Sequence, residues 1–372
     1  MSRTFPSPTT SSLLSSLLSS PPSPSLSSAS RQRRRRLLPG LEVLAGLGLL
    51  LSACGQAGSS QQAGTQPPAA SGTMQGQATA ATGQKCDPVA GQQLVVLADD
   101  KKLQTVDNVV PAVNAKAASP ALLAALDAVS ARLTTPKLVA LNKAVGVERQ
   151  TATQAAKGFV ASEGLGQPAQ KGTGKVVIGA ADFPESQILA AVYADVLNAA
   201  GFSASVKTIG NRELYEPALE RDEIQVVPEY VGTLTEFLNK RQNGPNAPAK
   251  ASGDLQATMT ALKALGGKAH LTFGQPSQAA DQNAFAVTKA FADKYAVTSL
   301  SQLAATCTSG LVLAGPPECK TRPFCEPGLE KTYGLKFDGF LSLDAGGPLT
   351  KAALQKGQAA LGLVFSSDAA LG

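Results

Sequence analysis

The chain has 372 residues, 43% of them hydrophobic, with no tryptophan, a single histidine (His270), five cysteines and charged residues at only 16%. That length leaves room for about two domain-sized cores. One His beside five Cys excludes an HExxH zinc site and Cys/His finger spacing, so no metal site and no cofactor are expected. The net charge of +6, from 33 Lys and Arg against 27 Asp and Glu, taken alone invites a nucleic-acid or acidic partner. No run of about 18 apolar residues lies outside the N-terminal region, which excludes a polytopic membrane protein.

The charge is concentrated at one end. Residues 1–53 carry six arginines (Arg3, Arg31, Arg33, Arg34, Arg35 and Arg36) against one acid, Glu42, and so hold five of the six net charges. The basic block 31–36, an apolar stretch to Leu51 and small residues beyond it read as an export signal. Its end, Leu51-Ser52-Ala53-Cys54, resembles a bacterial lipobox, which implies cleavage before Cys54 and a lipid on its sulfur. Residues 54–87 are rich in Gly, Ser, Gln, Ala and Pro and read as a flexible tether. The folded part is thereby expected outside the cytoplasmic membrane, held by a lipid anchor, and the nucleic-acid reading loses its main support. Four cysteines remain. An even number in an exported chain suggests two disulfides, of which Cys86–Cys307 with Cys319–Cys325 is the preferred pairing among three, because the second closes a short Pro-containing loop.

From residue 93 onward, strand and helix signals alternate. Gln93–Leu97 and Val109–Val113 are short apolar runs suited to buried strands. Ser119-Pro120 and Thr135-Pro136 each place a cap and a first-turn proline before apolar residues at helical spacing, and Thr153–Ser162 gives a third helix. A Gly-rich linker follows near 164–174. A second series begins with strand Val176–Ile178, helix Glu185–Ala200, strand Ser205–Ile209, helix Glu213–Glu220 and strand Ile224–Val227. Helices Gly232–Leu238 and Asp254–Leu265 precede strands His270–Gly274 and Ala284–Val287. Helices Lys289–Tyr295 and Ser299–Ala305, strand Leu311–Ala314 and helix Gly328–Tyr333 come next, and Phe340–Leu343, Leu349–Lys356 and Ala359–Phe365 finish the chain. Such alternation argues α/β architecture with mostly parallel sheets, whose ligands sit beyond the C-terminal strand ends. The loops Ala180–Pro184, Gly210–Tyr215 and Pro228–Thr233 fall there.

The stretch VVIGAADFPESQILAAVYADVLNAAGF, then ALERDEIQVVPEYVGTLTEFL, and the later LVLAGPPECKTRPFCEPGLEKTYG, LDAGGPLTKAALQKG and LGLVFSSDAAL resemble the glycine betaine/carnitine/choline-binding proteins of ABC importers. The resemblance covers about residues 92–372. It implies an α/β, two-lobed, type II periplasmic-binding-protein fold with a hinged ligand cleft. Residues 92–165 resemble the family's C-terminal part yet precede its N-terminal part, so the chain reads as circularly permuted; a fragment of a tandem duplication is the alternative. The implied segments are 1–53 signal peptide, 54–87 tether, 88–168 and 169–285 together forming lobe 1, and 286–372 forming lobe 2.

A quaternary ammonium offers no hydrogen-bond donor, so its recognition relies on aromatic faces. The resemblance places Tyr230 and Thr233 of PEYVGT on ligand-contacting positions, Phe183 with Asp182 in the loop after the first strand, and Phe365 on a cage position. Asn283 and Val106 stand where the family has cage tyrosines, and Tyr215 lies one position from the usual aromatic. Arg212 is a candidate carboxylate clamp or a solvated helix-start residue. Asp107, Asn108, Asp281, Gln282 and Asn283 add polarity to the cleft. Arg322 is expected on an exposed loop, and Asp344 as a turn and N-cap residue.

The implied function is a solute-binding lipoprotein of an ABC importer, monomeric, capturing a quaternary amine such as glycine betaine or choline and handing it to the permease subunits. A polar amine, amino acid or polyol as ligand, or a sensing lipoprotein without a permease, remains the alternative. An enzyme is not supported: the sequence has no GxSxG, SxxK or P-loop motif.

Overall fold

The computed structural model describes residues 83–371. The expected signal segment, Cys54 and the tether up to residue 82 lie outside the described residues. The fold opens inside the expected tether, with strand β1 (Gln84–Lys85) and Cys86. Strands β2 (Leu94–Leu97) and β3 (Val109–Asn114) lead to helices α1 (Pro120–Arg132), α2 (Thr135–Gly146) and α3 (Ala152–Ser162). Their starts follow local chemistry: the Ser119 hydroxyl accepts from the Leu122 N–H ahead of Pro120, and Thr151 with Gln154 forms a capping box. Next come β4 (Lys175–Ala180), α4 (Pro184–Ala199), β5 (Ser203–Thr208), α5 (Arg212–Glu220), β6 (Val226–Tyr230), α6 (Val231–Asn243), α7 (Leu255–Lys268) and β7 (Leu271–Phe273). The last third holds β8 (Asn283–Thr288), α8 (Lys289–Tyr295), α9 (Leu300–Thr306), β9 (Cys307–Ser309), β10 (Val312–Gly315), a 3-10 turn (Pro317–Lys320), α10 (Glu326–Tyr333), β11 (Gly339–Ser342), α11 (Pro348–Gln355) and β12 (Leu361–Phe365). His270 adopts a left-handed φ of 56° in the turn before β7 rather than starting that strand.

Two five-stranded sheets form the two lobes, with strand orders β5-β4-β6-β3-β7 and β11-β10-β12-β8-β2. Within each, the first three strands are parallel and the last two run antiparallel to their neighbours. The sheets are therefore mixed, not mostly parallel. In each sheet the fourth strand is the one that has just crossed from the other lobe, which reverses its direction. Order and polarity are the same in both lobes.

In the first lobe, helices α1–α4 cover one sheet face. Helix α4 is apolar almost all round, with Ile188, Leu189, Val192, Tyr193 and Val196 buried, as expected of a helix enclosed by other elements. Helices α5–α7 cover the other face, around Leu219, Val227, Leu234 and Leu262. One core cluster joins Val109, Leu126 and Phe159 to Ile178, Leu189 and Val226, so residues 109–165 and 175–230 share a single interior. The second lobe has its main core among Phe285, Phe291, Leu303, Leu313, Leu329 and Leu361.

The expected lobe boundaries need two corrections, the smaller being that the second lobe opens with β8 at Asn283 and not at residue 286. Strand β2 pairs with β8 in the second lobe, so residues 88–105 do not belong with 109–168. A four-residue apolar run marks a strand but not which sheet edge receives it, and at this edge only Leu97 is buried while Val96 is exposed, so β2 is not the buried strand expected. The chain crosses between lobes twice, from β2 to β3 and from β7 to β8. The two crossings are paired: the Asp281 N–H donates to the Asp107 carbonyl at 3.1 Å, beside an Asn108–Ala280 bridge. Cys86 is joined to Cys307 across 221 positions, tying the opening segment to β9, and Cys319 to Cys325 across 6. Among the described residues, no helix is long and apolar enough to cross a membrane.

Candidate functional site

A cavity of about 640 Å³ lies between the lobes, within the usual range for a small-molecule site. The first lobe supplies the ends of β4, β5 and β6: Ala181–Phe183, Gly210–Tyr215, Tyr230 and Thr233. The second lobe supplies the ends of β10, β11 and β12: Pro316–Cys319, Thr321–Cys325, Leu343–Ala345 and Phe365. Both walls are thus built at carboxyl ends of parallel strands, where α/β sheets place their ligands.

Three aromatic rings stand together on the wall. Phe183 lies between Tyr230 (ring centroids 6.5 Å apart) and Phe365 (5.6 Å), with interplanar angles of 29° and 30°. Gly346 has a left-handed φ of 66°, and a Cβ there would come within 2.9 Å of the Phe365 ring, so glycine makes room for that ring. Phe324, Phe237 and Tyr215 complete the aromatic lining.

The floor is acidic. The Asp107 carboxylate sits over the N-terminus of α6 and accepts from the N–H groups of Gly232 (2.8 Å) and Thr233 (3.0 Å). Gly232 is required by this approach, because a Cβ would lie 2.3 Å from the Val106 carbonyl oxygen. Burial pushes Asp107 up to about 7, against the pull of those N–H groups and of Arg212. Glu185, in the first turn of α4, accepts from the Tyr230 hydroxyl (2.5 Å), Asn142 Nδ2 (2.6 Å) and the Ser367 hydroxyl (2.6 Å). Asp281 accepts from the Ser367 N–H at 2.9 Å. Burial raises both carboxyls, and each bears on the other.

Arg212 is buried at 6% exposure, where its Nε and Nη2 grip Glu229 at 2.8 Å each and Nη2 also donates to Thr233 Oγ1 at 2.9 Å. Burial alone would lower Arg212, but Glu229 outweighs it and keeps the guanidinium charged. The Tyr215 hydroxyl donates to the same Glu229 at 2.8 Å. Arg212 is therefore neither a solvated helix start nor an open carboxylate clamp, since its carboxylate is supplied by the protein itself.

Across the mouth, Arg322 of the second lobe pairs with Glu213 of the first through Nη2–Oε2 at 2.8 Å, and Asn211 Nδ2 reaches Glu318 at 3.3 Å. The expectation of a merely exposed Arg322 gives way to a bridge between lobes. Burial opposes ionisation of Glu213, but the Arg322 hydrogen bond prevails and holds its carboxyl below the ordinary value.

A family model described as the substrate-binding domain of the ABC-type glycine betaine transport system matches residues 45–162 and 174–372. The chain belongs to this family. It is accordingly a substrate-binding protein of the ABC-transporter type with a type II periplasmic-binding fold, and not an enzyme. A solved structure described as a crystal structure of a glycine betaine/carnitine/choline ABC transporter is 22% identical, covering 51% of this chain and 68% of its own, with a TM-score of 0.33. No curated protein sequence matches the chain.

The nine side chains expected at the ligand, Asp107, Asp182, Phe183, Arg212, Tyr215, Tyr230, Thr233, Asn283 and Phe365, line the cavity of this binding protein, and so does Asp281, whereas Asn108 and Gln282, also expected in the cleft, do not. Nor does Val106. Asn283 has its amide engaged, donating to the Phe324 carbonyl at 3.0 Å. Asp344 caps α11 through the N–H groups of Leu349 and Thr350. Sequence reasoning missed Glu185, Glu229 and Glu213. Glu229 stands inside PEYVGT on an otherwise apolar strand, where an acid is a signal of a buried partner. Glu185 and Glu213 look like ordinary first-turn acids, and nothing local marks them.

Proposed function

We propose that the chain captures a quaternary amine such as glycine betaine or choline between its lobes and delivers it to an ABC permease. The observation that carries this reading is the row of Phe183, Tyr230 and Phe365 rings above a floor of buried carboxyls. Ring faces suit a cation that cannot hydrogen bond, and the carboxylates favour positive charge beside them. Ligand bridging the lobes draws the population toward the closed form, the two paired crossings at Asp107 and Asp281 acting as hinge. The export signal and Cys54 give this receptor a lipid anchor on the extracytoplasmic face, where it works as a monomer.

The chain order fits a circular permutation. Taken as a ring, β4, β5, β6 and β7 form one lobe before the chain crosses to β8, and β10, β11, β12 and β2 form the other before it crosses to β3. The two runs are equivalent only if β2 follows β12, and Leu371 does pack in the same cluster as Leu94. The shared interior of residues 109–165 and 175–230 argues against two incomplete copies.

A thermal-shift panel of betaine, choline, carnitine, proline and polyols tests the ligand class. A ligand at a hundredfold excess over Kd stabilises by about 2.7 kcal/mol. Shifts confined to quaternary amines are the expected result. Shifts with proline or polyols alone would transfer the role to another solute.

A further inference from the structure

The charges that meet at the floor of the cleft do not balance. Four carboxyl groups, Asp107, Glu185, Glu229 and Asp281, are buried at 1–5% exposure, and one guanidinium, Arg212, is buried with them. Arg212 is held by Glu229 through two hydrogen bonds. Asp107, Glu185 and Asp281 are left with hydroxyl, amide and backbone N–H donors and no ion pair of their own. A buried carboxylate without a counter-charge is costly, so each must hold a proton or meet a cation brought from outside. Asp107 and Asp281 both line the cavity, one on each inter-lobe crossing.

The bases around the cavity are in the opposite condition. Arg322 is paired with Glu213, and Arg241 with Glu216 and Glu220. Lys240 has no ion pair among the described residues, but it lies seven positions beyond Thr233 on α6, about 10 Å along the helix. No base near the floor is open to a ligand carboxylate.

Resting on the quaternary-amine reading above, the geometry points to a site for a ligand of net charge +1, an amine whose other end is a hydroxyl or apolar group, in preference to a zwitterion. The carboxylate of a zwitterion would be drawn in among buried acids whose only arginine is already bound. A net cation instead supplies the missing counter-charge. Its capture is also linked to protons. Burial raises Asp107 to about 7 and lifts Glu185 and Asp281, and a cation placed beside these carboxyls favours their charged forms, so its binding drives protons off them. The groups facing Asp107 are Arg212 on α5, Glu229 on β6, and Gly232 and Thr233 on α6. Those facing the Glu185–Asp281 pair are Tyr230, Asn142, Ser367 and Asp107.

Titration calorimetry of the full chain with choline and with glycine betaine, at pH 6 and pH 8 and in two buffers of different ionisation heat, tests this. Choline is expected to bind at least tenfold more tightly than betaine at pH 8, to bind several-fold more tightly at pH 8 than at pH 6, and to release protons on binding. Asp107→Asn should flatten the choline pH dependence. Betaine binding equal to or tighter than choline overturns the inference while leaving the quaternary-amine reading intact, as does choline binding without proton release. No heat with either ligand overturns both.

Discussion

The two disulfides should serve separable purposes. Cys86–Cys307 spans 221 positions and neither sulfur borders the cleft, whereas Cys319–Cys325 spans 6 and both cysteines line it. In the chain-entropy relation, removing the long crosslink costs roughly 5 kcal/mol and the short one roughly 2 kcal/mol. For a folded unit of this size these correspond to roughly 8 °C and 3–4 °C in Tm. Binding should follow the opposite order. The short loop carries Arg322 and Phe324 into the cavity, with Glu318 just before it. Without its crosslink, ordering one or two extra residues on closure costs about 2 kcal/mol, roughly thirtyfold in Kd. Replacing each cysteine pair by serine, then measuring thermal unfolding and solute affinity at a temperature where both variants are folded, checks this. Unchanged affinity in Cys319→Ser/Cys325→Ser, or a large affinity loss in Cys86→Ser/Cys307→Ser, refutes the reasoning.

Three further outcomes are expected. Glu229→Ala leaves Arg212 buried without its partner and should lower unfolding stability by about 3–5 kcal/mol; a denaturant titration showing under about 1 kcal/mol would contradict the pairing. Because the folded protein holds a proton on Asp107 to about pH 7, while an unfolded Asp releases it near 3.9, solute-free stability should fall as pH rises from about 4 to 7. Asp107→Asn should flatten that slope in pH-resolved thermal scans. Glu213→Gln removes the partner of Arg322 across the mouth; a partly exposed pair is worth about 0.2–1 kcal/mol, so stopped-flow solute release should quicken up to about fivefold, and added salt should quicken release from the unaltered protein.

Much of the architecture is local information. The starts of α1 at Ser119-Pro120 and of α3 at Thr151 are capping chemistry, which neighbouring residues decide. Phe183, Arg212 and Tyr230 lie at or just past strand ends, and the rule for strand ends placed them in the cleft. What stayed hidden depends on distant partners. Strand β2 has the same short apolar pattern whichever sheet receives it, and only the pairing of Leu94–Leu97 with Val287 and its neighbours assigns it to the second lobe. Arg212 reads as a carboxylate clamp or a solvated helix start until Glu229 is brought beside it by the turn from α5 to β6. Glu185 is an unremarkable first-turn acid until Tyr230 of β6, Asn142 of α2 and Ser367 of the turn after β12 converge on it.

Diffraction from crystals of the chain grown with choline tests the account most directly. The ligand nitrogen is expected in the inter-lobe cavity, within about 6 Å of the ring centroids that contact it, facing Phe183, Tyr230 and Phe365 with Asp107 and Asp281 beneath. Choline bound outside that cavity, or a cavity left empty at saturating choline, would contradict it.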